Sequence, residues 1–220
     1  MIHKPTYHFT LLKYYARVTQ IFSWPIPFVF FNVFFKLKIT GRENLKEIKS
    51  PFIIISNHIS YYDSFSLRLI FGIFTLKLPL RLMAVKEFNS KCMNFLARIG
   101  IIDIVYALFG VFVVVPGLGI KRNLEEAIGI IKNGGNVVMY PEGSIMEGNK
   151  IGEFKKGAAV LALKTGAPVL PISMRLGKEG LFRREFIINI GNVIKVDQRD
   201  SSITITQMFF DIVNGLYKMK

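Results

Sequence analysis

Apolar positions are unevenly spread along this chain, and their spacing changes character near residue 36. From Tyr7 to Phe35 they are dense and aromatic: eleven aromatic side chains fall in this interval, and residues 18–35 carry no charge. The Trp24-Pro25-Ile26-Pro27 step divides the stretch into two short helices, because proline removes a backbone donor and restricts the residue before it. The second helix, from Pro25 to Leu37, spans about 20 Å at 1.5 Å per residue, short of the ~30 Å of a bilayer core. The pattern predicts a helical hairpin lying in a membrane interface, with aromatic rings at headgroup depth. Lys4, Lys13, Arg17, Lys36 and Lys38 are spaced to meet lipid phosphates. One kinked spanning helix, or a buried pair of core helices, are the other readings of the same residues.

Beyond Lys36 the apolar runs shorten and alternate in type. Strands are predicted at 37–40, 51–56, 80–85, 111–115, 137–140 and 169–174. Helices are predicted after Asp63, at 123–133, at 157–165 and at 202–217. Residues 186–190 and 193–196, either side of Gly191, read as a late hairpin or bent strand. The run Phe52-Ile53-Ile54-Ile55 is of the kind buried on both faces of a parallel sheet. Residues 99–120 hold a single charge, Asp103, and have the apolarity of a span. Within them Phe112-Val113-Val114-Val115 reads better as a buried strand. Alternating strands and helices imply an α/β fold, a mostly parallel or mixed sheet flanked by helices. The division expected is an aromatic-rich helical motif at 1–36 and an α/β domain at 37–220.

Composition sharpens the expected partner. The 220 residues carry a net charge of +14 and are 51% apolar, with a mean hydropathy of +0.38. Basic and apolar character together suit an anionic phospholipid membrane, where each Lys or Arg near the surface contributes about 1 kcal/mol. Nucleic acid is not expected, since the basic residues are scattered and no reader motif occurs. The single cysteine, Cys92, excludes an internal disulfide and cysteine-based zinc clusters. The start, Met1-Ile2-His3-Lys4-Pro5, lacks the apolar stretch of a cleavable signal.

The chemistry sits after two of the apolar strands. Residues 52–55 lead into Ser56-Asn57-His58-Ile59-Ser60-Tyr61-Tyr62-Asp63, at the strand end where α/β proteins place ligands. Histidine is the side chain best suited to take a proton near neutral pH, and a carboxylate on its other nitrogen fixes tautomer and ring. A tight turn brings Asp63 back onto His58. No Gly-x-Ser-x-Gly nucleophile occurs, so the substrate's own hydroxyl would attack, with His58 as general base. The plain alternative is a loop histidine followed by a helix-capping aspartate. The second segment is Tyr140-Pro141-Glu142-Gly143-Ser144, where glycine permits close approach to the backbone. Phe154-Lys155-Lys156-Gly157 then opens a helix whose N-terminus and lysines suit an anion. Gly143 to Lys150 mimics a phosphate loop but lacks Gly-Lys-Ser/Thr.

These blocks together resemble the glycerolipid acyltransferase family typified by lysophosphatidic acid acyltransferase. Asn57-His58-x-Ser60-x-x-Asp63 is similar to its His-x4-Asp block, Pro141-Glu142-Gly143-Ser144 to its Pro-Glu-Gly-Thr/Ser block, and Val169-Leu170-Pro171-Ile172 to its fourth block. Lys86-Glu87-Phe88 sits where the family often has Lys-Glu-Leu. The resemblance implies an O-acyltransferase of phospholipid biosynthesis in which His58 and Asp63 are catalytic. Asn57, Ser60, Lys86, Glu142, Gly143, Ser144, Lys155 and Gly157 would bind substrate. It implies an acyl thioester co-substrate, acyl-CoA or acyl carrier protein, with no tightly bound cofactor and no metal. The acceptor would be 1-acylglycerol-3-phosphate or another lysolipid, at the cytoplasmic face of a membrane, with the enzyme peripheral or monotopic. Two arginines of the family pattern are absent: one from the strand 110–116, the other at Ile145. Lys121, Arg122 and Lys156 are the candidate phosphate contacts in their place. A catalytically silent lipid-binding protein of the same fold is the second reading.

Overall fold

The computed structural model describes residues 6–72, 75, 77–85, 91–115, 117–148 and 150–219, with side chains from Lys13 onward. Lys4, Lys86 and Pro116 of the sequence reading lie outside the described residues. The chain runs α1 (Thr6–Phe22), α2 (Pro25–Phe34), β1 (Phe35–Thr40), β2 (Ile53–Ser56), α3 (Asp63–Ile70), β3 (Leu80–Val85), α4 (Lys91–Arg98), α5 (Ile101–Phe109) and β4 (Phe112–Val114). It continues through α6 (Gly119–Asn123), α7 (Glu125–Lys132), β5 (Asn136–Met139), α8 (Gly157–Thr165), β6 (Val169–Glu179), β7 (Arg184–Ile190) and α9 (Ser202–Lys218).

The strands form one seven-stranded sheet in the order β1-β7-β6-β2-β5-β3-β4. All neighbours are parallel except β6 and β7. The α/β class, with a mixed sheet, is the one the sequence predicts. Central β2, β-branched at Ile53, Ile54 and Ile55, is buried along its whole length, because helices cover both faces. Ile53, Ile55, Val137 and Val169 face a core built with α7, α8 and α9. Ile54, Val138, Leu170 and Ile172 face a second core that includes Phe31 of α2 and Leu67 and Ile70 of α3. Alternation along each strand therefore feeds two cores from one sheet.

Three details depart from the sequence reading. The helix predicted at 123–133 is α7, and a short helix that was not predicted, α6, precedes it and meets it at Leu124. Asn123 explains the break: its side-chain amide donates to the Val115 carbonyl at 2.8 Å and its oxygen accepts from the Val115 N–H at 3.0 Å. The late hairpin pairs β7 with β6 rather than with 193–196, of which only Ile194 bridges, to Val169. Between β3 and β4, α4 and α5 were not foreseen as helices. No α4 side chain is buried, and in α5 only Ile102 is; Ile101–Phe109 is apolar at every position but Asp103, so periodicity does not separate a helix from a buried strand there.

The two N-terminal helices lie on either side of the proline step, but α2 ends at Phe34 rather than at the predicted Leu37, because residues 35–40 pair with β7 as β1. In α2 one face is inside: Phe31 is fully buried, with its ring 5.1 Å from Phe186 and 6.1 Å from Tyr62. The other face, Ile26, Val29, Val33 and Phe34, is exposed, and Pro25, Ile26, Val29, Phe30 and Phe34 line a shallow depression of about 450 Å³. Among the described residues no single helix is long and apolar enough to cross a membrane.

Gly41 ends β1 with φ +74, and a Cβ there would stand 2.0 Å from the Ile190 carbonyl oxygen. The left-handed backbone alone costs an L-residue roughly 1–2 kcal/mol, and the carbonyl clash adds to it. Gly41→Ala is expected to destabilise the fold by more than about 2 kcal/mol, checked by urea denaturation.

Candidate active site

Strands β2 and β5 are neighbours and parallel, so the segments leaving their carboxyl ends emerge side by side. The first carries His58 and Asp63, the second Tyr140, Glu142 and Gly143. The sheet order thus unites two motifs separated by more than seventy residues.

Asp63 opens α3, where a negative charge is favoured by the helix dipole. Its side chain is wholly shielded from solvent. Oδ2 lies 2.8 Å from His58 Nδ1 and accepts the Ile59 and Ser60 N–H groups at 2.7 and 2.9 Å. Oδ1 accepts the Ser60 hydroxyl. A carboxylate so surrounded is the acceptor, so Nδ1 carries the proton and Nε2 bears the lone pair. Among the described residues none takes Nε2 as a partner. The His58 ring is partly exposed and stacks on Tyr140, centroids 4.1 Å apart at 10°. The Tyr140 hydroxyl lies 3.2 Å from Ser64 Oγ. Burial first, and then the Asp63 charge, hold that phenol well above its usual titration range. His58 is therefore fixed by a carboxylate at its edge and an aromatic ring at its face.

The His58 peptide is fastened as well as its ring. Its N–H donates to Glu142 Oε2 at 2.6 Å, its carbonyl accepts from Met146 N–H at 2.8 Å, and Glu142 Oε1 accepts from Gly152 N–H at 2.7 Å. Glu142 ties the His58 loop to the 142–152 loop. Burial raises its titration to about 6, while the two amide bonds pull the other way. Between about 4.5 and about 6 the folded chain holds a proton that the unfolded chain has released, so this group's contribution to stability is lost as pH rises through that window. Glutamine carries one acceptor oxygen where the carboxylate has two, which leaves one amide donor facing an NH₂ group. Glu142→Gln is expected to lower activity roughly 10- to 100-fold, the equivalent of about 1–3 kcal/mol for an unsatisfied buried donor. The difference in thermal midpoint between the native chain and this variant should shrink from pH 4.5 to 6.5, read by calorimetry.

Asn57 is fully buried and engaged at both ends, donating to the Met174 carbonyl and accepting its N–H, each at 2.8 Å. Gly143, at φ +75, lies beneath Lys155: a Cβ there would stand 2.5 Å from Lys155 Nζ. The Lys155 N–H also donates to the Pro141 carbonyl at 2.8 Å. Ser144 is exposed beside Gly143. Lys156 and Gly157 begin α8, Lys156 exposed and Gly157 above Met139. Lys121 and Arg122 are exposed on α6. That helix follows edge strand β4, which is three strands from β2 in the sheet, roughly 14 Å at ~4.8 Å per strand. The structure brings His58, Asp63, Ser60, Glu142, Gly143 and Lys155 to one end of the sheet and sets Lys121 and Arg122 to its side. Ile145 is half-buried. The Tyr140 stack was not foreseen; the signal for it is that Tyr140 directly follows the strand beside β2.

A family model described as Acyltransferase matches residues 36–175. The chloroplastic 1-acyl-sn-glycerol-3-phosphate acyltransferase LPAT1 of Arabidopsis thaliana is 32% identical over 171 residues, 73% of this chain and 42% of that protein. The 1-acyl-sn-glycerol-3-phosphate acyltransferase of Borreliella burgdorferi is 33% identical over 158 residues, 71% of this chain and 57% of that one. This chain thus spans about half the length of the relatives it matches. Among solved structures, that of the 1-acyl-sn-glycerophosphate acyltransferase PlsC of Thermotoga maritima superposes with a TM-score of 0.62 at 20% identity. The match covers 100% of this chain and 85% of that one, and shows the shared fold.

Proposed function

Because this chain belongs to the Acyltransferase family, we propose that it moves a fatty acyl group from an acyl thioester to a lipid hydroxyl, with His58 as general base. The observation that carries this is the 2.8 Å contact of His58 Nδ1 with Asp63 Oδ2, which turns the unprotonated Nε2 outward. Nε2 takes the proton as the acceptor oxygen attacks the thioester carbonyl. The carbon–sulfur bond breaks, an oxygen ester forms, and the departing thiolate takes the proton back from the imidazolium. General-base assistance of this kind contributes typically 10²–10⁴-fold. The donor is acyl-CoA or acyl carrier protein. The acceptor is 1-acylglycerol-3-phosphate, the substrate in the relatives' names, or another lysolipid.

The roles divide by geometry. Gly143, Ser144 and Lys155 are exposed on the loops that follow β5 and would meet substrate. Asn57, Ser60 and Glu142 have their polar atoms committed to the chain and act from behind, by holding the loop. Gly157, Lys86 and the cations Lys121, Arg122 and Lys156 belong to the proposed binding surface for the thioester and the acceptor phosphate. The membrane-associating motif expected at 1–36 gives way to the α/β catalytic domain at β1, whose first residues, Phe35 and Lys36, already pair with β7. The enzyme works at the cytoplasmic face of an anionic bilayer.

The test offers the purified chain oleoyl-CoA and oleoyl-acyl carrier protein in turn. Each is paired with a panel of 1-acylglycerol-3-phosphate, lysophosphatidylglycerol and lysophosphatidylethanolamine. Thiol release and diacyl product in lipid extracts are the expected result. Binding of lysolipid with no turnover of either thioester would instead mean a silent lipid-binding protein.

A further inference from the structure

The helices unforeseen in sequence carry a surface that the proposed chemistry does not use. Together α4 and α5 have the length and apolarity of a membrane span, yet they are bent by 84° at their junction, where Gly100 adopts φ +82. A segment so bent does not cross a bilayer as one rod. Its exposed residues instead form a stripe. Ile101, Ile104, Val105 and Leu108 of α5 are all exposed, at the i, i+3, i+4, i+7 spacing of one helix face. Phe95 and Ile99 add to it from α4 and the turn after it, and Val113, Val115, Leu118 and Ile120 from β4 and beyond. The flank of α5 roughly 100° around from the stripe's centre is the one that packs: Ile102 is buried, and Phe109 meets Phe65 of α3.

Charge identifies the occupant. Along the chain the stripe is flanked by cations, Lys91 and Arg98 on α4 before it and Lys121 and Arg122 on α6 after it. Asp103 is the acidic residue between Lys91 and Leu124. At 100° per residue it lies roughly 150° around the helix from the stripe's centre. An apolar band flanked by cations fits the boundary between acyl chains and anionic headgroups. The helix that carries the stripe and α2 are linked through α3. Helix α3 touches both neighbours, and the Arg68 guanidinium ties the junction. It lies 5.0 Å from the Phe65 ring and 5.2 Å from that of Phe109, and donates to Ser23 Oγ at 3.0 Å.

We infer that the outward face of α4–α5 is a second bilayer contact, so that α3, whose first residue is Asp63, is flanked by two lipid-facing helices. This rests on the reading of the chain as membrane-associated. The probe is vesicles of phosphatidylcholine and phosphatidylglycerol, with the full chain followed by co-sedimentation. Ile104→Asp/Leu108→Asp is expected to lower the vesicle-bound fraction at least tenfold at equal lipid while leaving the thermal midpoint without vesicles unchanged. Trp24 is the single tryptophan, so the Trp24→Phe/Ile104→Trp chain reports on this face alone. Its fluorescence should be quenched by lipids brominated near the headgroup end of the acyl chains. If the indole is unquenched and partition is unchanged, while Ile26→Asp/Val29→Asp lowers partition, α2 alone meets the membrane and the inference falls. If the native chain does not bind vesicles, the membrane reading itself falls. If the chain is dimeric without lipid and Ile104→Asp/Leu108→Asp makes it monomeric, a second copy covers the stripe, and the inference is again overturned.

Discussion

His58→Ala is expected to reduce acyl transfer by about 10²–10⁴-fold, the span of general-base assistance, with little change in stability. The ring is partly exposed and holds no core position; its loss leaves Asp63 with two backbone donors and the Ser60 hydroxyl. The loss should fall on turnover more than on KM, because Nε2 acts on the proton as it leaves the acceptor. Initial rates of thiol release at saturating acceptor check this. Unchanged turnover would remove His58 as the base while leaving the fold untouched.

Asp63→Asn is expected to be as damaging to turnover, on the order of 10²–10⁴-fold, for a different reason. An amide in that site can offer NH₂ to His58 Nδ1, which places the proton on Nε2 and blocks it as a base. The substitution also weakens three charge-assisted bonds that close the 58–63 turn. A stability loss of about 1–3 kcal/mol should accompany it, where His58→Ala brings little. Kinetics and urea denaturation on both variants separate the two: similar catalytic loss, unequal loss of stability. Equal stability of the two variants would mean that Asp63 serves the ring and not the turn.

Much of this arrangement was legible before any coordinates. The β-branched run at 53–55 declared a strand buried on both faces, and it is the centre of the sheet. The five-residue spacing of His58 and Asp63 declared a turn, because the intervening amides need an acceptor and Asp63 supplies it. What stayed hidden was of two physical kinds. Long-range pairing was one: β5 lies beside β2 only through sheet order, so the stack of Tyr140 on His58 and the Glu142 strap had no local signature. The other was uniform apolarity: Ile101–Phe109 is apolar at every position but Asp103, so periodicity does not set a helix apart from a buried strand there. The short helix α6 ahead of the predicted one is closed off by Asn123, which bonds to Val115 eight residues upstream, a choice that propensity does not register.

The two-sidedness of α2 bears on how such an enzyme can be handled in the laboratory. Cutting the chain before Lys36 to obtain a freely soluble catalytic half would remove Phe31 from beneath Tyr62 and Phe186. Emptying a site of that size costs about 3–5 kcal/mol, and Tyr62 immediately precedes Asp63. Detachment from lipid by truncation would therefore arrive together with a loosened site, and loss of activity would say nothing about whether the reaction needs a bilayer. Replacing only the outward residues Ile26, Val29 and Val33 with polar ones leaves the Phe31 plug in place. Combined with Ile104→Asp/Leu108→Asp on the second proposed lipid face, that route would test how much of the proposed reaction needs a bilayer without loosening the site.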